Sequence, residues 1–115
     1  MNKLTRKTLL SLALAAGIAN TAFAADISNI NGQSCDGRGT WHFVNNRTGG
    51  AAAGFLSATW SSGDTCGVNP TKVNATTQHF YCYGSGELLS ASTNLPGKLV
   101  LSDFTCDTKK DPLPK

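Results

Sequence analysis

The chain has 115 residues, of which 40% are hydrophobic and 15% charged, and its formal net charge is +3. Three of the ten basic residues, Lys3, Arg6 and Lys7, lie at the extreme N-terminus, so the rest of the chain carries seven basic and seven acidic side chains. A net charge near zero gives no electrostatic reason to expect nucleic acid or an anionic membrane as a partner.

Residues 1–24 have the pattern of a cleavable secretory signal peptide. The basic N-terminus is followed by an apolar run at 9–18 and by an Ala-x-Ala exit that ends at Ala24. The apolar run is shorter than the roughly 20 residues of a transmembrane helix, so we expect no membrane span. Because the leader is short and rich in alanine, it is typical of bacteria. We predict cleavage between Ala24 and Ala25, and a secreted or periplasmic protein.

Removal of 24 residues from 115 leaves 91, which is enough for one small domain. We assign this domain to residues 25–106 and expect 107–115, which are charged and contain two prolines, to form a flexible tail. All four cysteines fall within the domain, at Cys35, Cys66, Cys82 and Cys106. An even number of cysteines in a small exported domain favours two disulfides, and no pair has the C-x-x-C spacing of a metal site.

Short segments rich in aromatic and β-branched residues alternate with turn-forming residues along the whole domain. The predicted strands, in chain order, are residues 39–45, 51–60, 65–69, 78–83, 87–93 and 98–106. No amphipathic stretch is long enough for a helix. Six or seven short strands predict an all-β fold, which we interpret as a small antiparallel, immunoglobulin-like β-sandwich with two disulfides. The alternative is a small β-barrel.

The turns suggest which strands pair with each other. A first hairpin is expected to turn at Gly49-Gly50 and a last hairpin near Asn94. The segment Gly84-Ser85-Gly86 is expected to interrupt the strands as a turn or a bulge.

Opposed positions on paired strands bring cysteines into disulfide range. The two expected hairpins favour the pairs Cys35–Cys66 and Cys82–Cys106, which we prefer narrowly. Cys66 and Cys82 are also symmetric about Asn74. That symmetry supports the alternative pairs Cys66–Cys82 and Cys35–Cys106.

Two histidines, His42 and His79, are the side chains that titrate near neutral pH without help. A pair of histidines can ligate a metal or share acid–base work. A metal site usually needs a third ligand, and none can be named, so we predict neither a metal nor a cofactor. The carboxylates Asp64, Asp103 and Glu87 have no spacing that places two of them together for glycoside chemistry.

The segment around Cys82 offers the best candidate for a binding surface. If Phe80 and Cys82 point into the core, strand alternation places His79, Tyr81 and Tyr83 together on the outer face. Tyrosine is common at recognition surfaces because it offers a large contact area at low entropic cost. We therefore predict that these three side chains form a binding strip.

Gly39-Thr40-Trp41 resembles the first strand of avidin-like and lipocalin-like barrels, over three residues only, and no binding residue is carried over from it. We expect an exported module that binds a protein or a carbohydrate and is not a catalyst. One alternative is a secreted enzyme inhibitor that presents the loop 70–77 or 94–97. Another alternative is a small hydrolase that uses His42 or His79.

Overall fold

The computed structural model describes residues 24–107, which form seven β-strands and no helix. The strands are β1 (Ala25–Asp26), β2 (Ser34–Asn46), β3 (Leu56–Trp60), β4 (Thr65–Val68), β5 (Lys72–Val73), β6 (Thr77–Thr93) and β7 (Lys98–Cys106). Within this range there is no helix that is long and apolar enough to cross a membrane. The all-β prediction is confirmed, with one antiparallel seven-stranded sheet of the small sandwich or barrel-like class and two disulfides.

The 17-residue strand β6 organises the sheet, whose strand order is β4-β3-β6-β2-β7. The N-terminal half of β6 pairs with β2 and β5, and its C-terminal half pairs with β3 and β1. The expected interruption at residues 84–86 does not break the strand: β6 continues through it with a φ of 89° at Gly86, and the unpaired residues at the register shift are Asp36 and Gly37 of β2. The strand therefore carries two neighbouring parts of the sheet.

The two hairpins expected from the turn residues are wrong. Strand β3 does not run back along β2 but lies on the far side of β6, and β7 lies on the far side of β2. The connection at 47–55 is long enough to cross over, and the side chain of Gln78 holds it there. The Gln78 amide accepts a hydrogen bond from the backbone of Gly54 and donates to the carbonyls of Ala51 and Ala52.

The different strand order explains why the preferred disulfide pairing, Cys35–Cys66 with Cys82–Cys106, is also wrong. The bridges are Cys35–Cys106 and Cys66–Cys82, and no cysteine of the described chain is free. Since β7 is the neighbour of β2, the bridge from Cys106 reaches Cys35 near the start of β2. The alternative pairing, which rests on symmetry about Asn74, is confirmed.

Aromatic side chains fill the core between the strands. Trp41 is fully buried, stacks on Phe104 with ring centroids 4.5 Å apart, and donates its indole N–H to the carbonyl of Gly84 at 3.0 Å. Trp60 meets Trp41 edge-on, with centroids 5.7 Å apart. A Cβ at position 84 would stand 2.4 Å from the Trp60 ring, so only glycine lets this indole reach the strand.

The first and last strands of the described chain are both attached to the sheet. Ala25 in β1 is buried and pairs with Thr93, and β7 ends at Cys106, whose bridge closes on β2. The predicted signal peptide lies outside the described residues except for Ala24, and so does the predicted tail except for Asp107.

Candidate binding face

Strand alternation in β6 places the three predicted binding residues on the outer surface. Phe80 and Cys82 are fully buried, whereas Tyr81 is 41% and Tyr83 55% exposed, and His79 is half-buried. The predicted direction of these five side chains is therefore confirmed. Their role in binding stays a prediction.

Strand β2 adds a fourth ring to this surface. His42 lies directly opposite Tyr81 in the β2–β6 register, and the two rings are parallel, with centroids 4.4 Å apart and planes within 4°. His79 is two residues before Tyr81 in β6 and lies opposite Val44, so it is diagonal to His42. We call the surface formed by His42, His79, Tyr81 and Tyr83 the His–Tyr face.

A hydrogen-bonded chain of three side chains crosses this face. Asp103 of β7 lies opposite His42, and its Oδ2 is 3.3 Å from Nδ1 of His42. Nε2 of His42 is 3.0 Å from Nδ1 of His79. A carboxylate can only accept, so Nδ1 of His42 carries the proton; in the neutral ring, Nε2 then accepts the proton that His79 donates from Nδ1. The order of donors and acceptors runs from His79 through His42 to Asp103.

The same arrangement sets the charge state of His79. Its pKa is lowered from the ordinary value of 6.5, first by burial and then by electrostatic interaction with His42 and with Lys72. Lys72 belongs to β5 and pairs directly with His79. The shift favours the neutral form of His79, in which Nε2 is the remaining acceptor.

Tyr83 is held from the other side of the face. The guanidinium carbon of Arg38 lies 4.7 Å from the centre of the Tyr83 ring, which is a cation–π distance. The ring of Tyr81 rests on His42. Each tyrosine therefore has one ring face covered by a neighbour, and its orientation is established before any partner arrives.

Sequence reasoning identified His42, His79, Tyr81 and Tyr83 but missed the partners that orient them, Asp103 and Arg38. It named Asp103 only among carboxylates without a pattern. No local signal pairs Asp103 with His42, because their contact depends on β7 lying beside β2 across a register shift.

The convergence of two histidines and a carboxylate bears on the hydrolase alternative. Asp103 is the carboxylate that such a site needs, but its side chain is 70% exposed and the three groups lie along strands on an open face. Within residues 24–107, no hydroxyl or thiol forms a hydrogen bond with either imidazole. Ser85, the serine between two glycines, instead donates to Asp64 from both its backbone and its hydroxyl group.

The two loops of the inhibitor alternative differ in the structure. Residues 71–76 are all exposed, and the Cys66–Cys82 bridge joins the strands on either side of them. The other loop, 94–97, is anchored, because Leu95 is buried and Gly97 packs against the backbone of Asn46.

No residue of the His–Tyr face lines either of the two surface depressions described for residues 24–107. Two surface depressions lie elsewhere, one beside Phe55 and Ser57 and the other along residues 51–54 and Leu95. In the described part of the chain, no group of three or more His, Cys, Asp or Glu side chains is arranged to hold a metal ion.

Comparison with known proteins found no matching family model, no matching curated protein and no matching solved structure.

Proposed function

We propose that this protein is an exported binding module and that the His–Tyr face docks on a partner protein. The observation that carries the proposal is the pair of exposed tyrosines, each oriented by a neighbour: Tyr81 by His42 and Tyr83 by Arg38. Large aromatic side chains that are already ordered lose little entropy on binding, which is why tyrosine and tryptophan dominate interface energetics.

The covered ring faces favour a protein over a carbohydrate. Sugars bind to aromatic residues by stacking on the flat face of the ring, and one face of each tyrosine is already occupied by His42 or Arg38. The hydroxyl groups, the ring edges and Nε2 of His79 stay available, and these groups suit the mixed polar and apolar character of a protein surface.

Export is part of the proposal. Two disulfides are compatible with an oxidising compartment, because such bridges persist outside the cytosol. The leader at 1–24 and the start of β1 at Ala25 agree with cleavage between Ala24 and Ala25. Intact mass of the secreted protein tests this cleavage, and a mass that retains residues 1–24 would contradict it.

Capture of partners from the native envelope or culture medium tests the binding proposal. The immobilised protein is compared with the double variant Tyr81→Ser/Tyr83→Ser and with the control Leu89→Ser. Leu89 also lies in β6 and is 52% exposed, but it is not part of the His–Tyr face. We expect a partner that the wild type and the control retain and the double variant loses.

The double variant should remain folded. Both side chains point outward, so their replacement removes about 1 kcal/mol of ring contacts and lowers the melting temperature by a few degrees. Retention of the partner by a folded double variant would refute the proposed face. Unfolding of the double variant would show that the tyrosines belong to the core.

The exposed loop favours a second candidate, an enzyme inhibitor that presents residues 70–77. Val73, the last residue of β5 before the turn of this disulfide-flanked segment, is 46% exposed and could enter a pocket of an enzyme. The variant Val73→Asp separates the two candidates. If it abolishes partner capture while Tyr81→Ser/Tyr83→Ser does not, the loop carries the binding.

A further inference from the structure

The two imidazoles of the His–Tyr face are the only two in the chain. They come from strands β2 and β6, are separated by 37 positions, and still place Nε2 of His42 and Nδ1 of His79 3.0 Å apart. The rings are nearly parallel, with centroids 5.2 Å apart, so they meet through nitrogens at their edges and not through their faces. The two ring nitrogens therefore face each other across one hydrogen bond at the surface.

This separation matches the spacing of two neighbouring ligands on one metal ion. Imidazole nitrogens bind zinc at about 2.0–2.1 Å, and two ligands at adjacent tetrahedral or octahedral positions are then about 2.8–3.4 Å apart. For both nitrogens to bind one ion, the proton between them must leave and the rings must turn until both lone pairs point to a common position beside the line that joins the nitrogens.

The groups around His42 follow the pattern that accompanies metal-ligating histidines. Such histidines donate their second ring N–H to a carboxylate, which fixes the tautomer and makes the ligand more basic. Nδ1 of His42 has this contact with Asp103, and the parallel ring of Tyr81 fixes the plane of the imidazole. The nitrogen that faces His79 is therefore the one that carries the lone pair.

We propose that His42 Nε2 and His79 Nδ1 form a two-histidine site for a divalent transition-metal ion of the zinc and copper class, with Asp103 as the outer partner of His42. Water molecules complete the coordination. When both rings are neutral, the proton of His79 moves from Nδ1 to Nε2, and Nδ1 then binds the metal through its lone pair. No proton is released in this step. The metal site shares the His–Tyr face with the proposed protein partner, but its test uses the free protein and zinc alone, so failure of one proposal does not decide the other.

The neighbouring charges predict how affinity responds to substitution. Asp103 attracts a cation and orients His42, so Asp103→Asn should weaken zinc binding about 10-fold or more. Asp36→Asn is the matched control, because it removes an exposed carboxylate elsewhere on β2. Lys72 repels a cation at His79, so Lys72→Gln should strengthen binding. A purely structural role of Asp103 would not produce these opposite effects.

Titration of the disulfide-bonded protein with zinc chloride, followed by NMR of the imidazole rings, tests the site. Because the chain has two histidines, the ring signals report on this pair alone. We expect both rings to shift together with a stoichiometry of one zinc per chain, and the single variants His42→Gln and His79→Gln to lose the shared transition. Shifts in one ring only, or none up to millimolar zinc, would overturn the proposal. The wild-type titration decides the question even if a variant does not fold.

Discussion

Removal of the disulfides one at a time provides a test of the strand order. The bridge Cys35–Cys106 closes a separation of 71 residues and Cys66–Cys82 closes one of 16. The loop-entropy relation then gives a stabilisation of about 4.4 kcal/mol for the separation of 71 residues and about 3.1 kcal/mol for that of 16. The difference is about 1.3 kcal/mol in favour of the longer loop.

Packing losses should not obscure this difference. In the bridge Cys35–Cys106, Cys35 is fully buried and Cys106 is half-buried. In the bridge Cys66–Cys82, Cys82 is fully buried and Cys66 is half-buried. Replacing either pair by alanine therefore removes a similar amount of buried surface. We expect both double variants to be less stable than the wild type, and Cys35→Ala/Cys106→Ala to be the less stable of the two.

Urea unfolding followed by tryptophan fluorescence measures the free energies of unfolding, and the slope m shows whether the denatured states differ in compactness. Thiol counting on the denatured, unreduced wild type should find no free cysteine. The reverse order of stability would refute the loop-entropy reasoning. A Cys35–Cys66 peptide in a non-reducing digest would refute the strand order itself.

Two further predictions concern single positions. Gly84→Ala should lower the free energy of unfolding by about 1–3 kcal/mol or more, because the new methyl group meets the Trp60 ring. The control Gly37→Ala has open space around it and should change the free energy of unfolding by less than about 0.5 kcal/mol. Urea unfolding measures both variants, and equal effects would contradict the packing argument. Hydrogen bonds from the Ser85 backbone and hydroxyl lower the pKa of Asp64 below its ordinary 3.8, so its stabilising contribution is present above pH 3.8 and lost as the pH falls through the lowered pKa. The stability difference between wild type and Asp64→Asn should therefore shrink in acid, and a difference that does not vary with pH would contradict this assignment.

The orientation of the binding residues could be predicted from sequence because it depends on a local property. In β6, the alternation of Phe80 and Cys82 with His79, Tyr81 and Tyr83 follows from the period of two in any strand. The register of the partner strand is not needed to say which side chains share a face. The register shift beside Gly86 lies beyond these residues and does not disturb them.

The strand order could not be predicted in the same way, because turn residues show where a strand ends and not where the next one lies. Gly49 and Gly50 do form a turn with positive φ, but the chain continues through 51–54 and crosses β6. The amide of Gln78, buried in the core, stabilises that path. A buried glutamine has no sequence signature that distinguishes it from an exposed one.

Asp103 shows how an irregularity conceals a site residue. Leu101 points into the core, so strict alternation would also point Asp103 inward and Phe104 outward. The register shift between the His42 and Phe43 pairs leaves Ser102 without a partner and reverses both directions. Phe104 then stacks on Trp41 and Asp103 reaches His42.

The central claim is that a partner covers the His–Tyr face, and tyrosine labelling tests it most directly. The chain has two tyrosines, Tyr81 and Tyr83, so iodination followed by mass spectrometry of the chain's own peptides reports on this face alone. In the free protein both rings should react, as their exposure requires. In the captured complex we expect both to be protected. Equal labelling rates in the free and bound protein would contradict the claim and place the partner elsewhere on the surface.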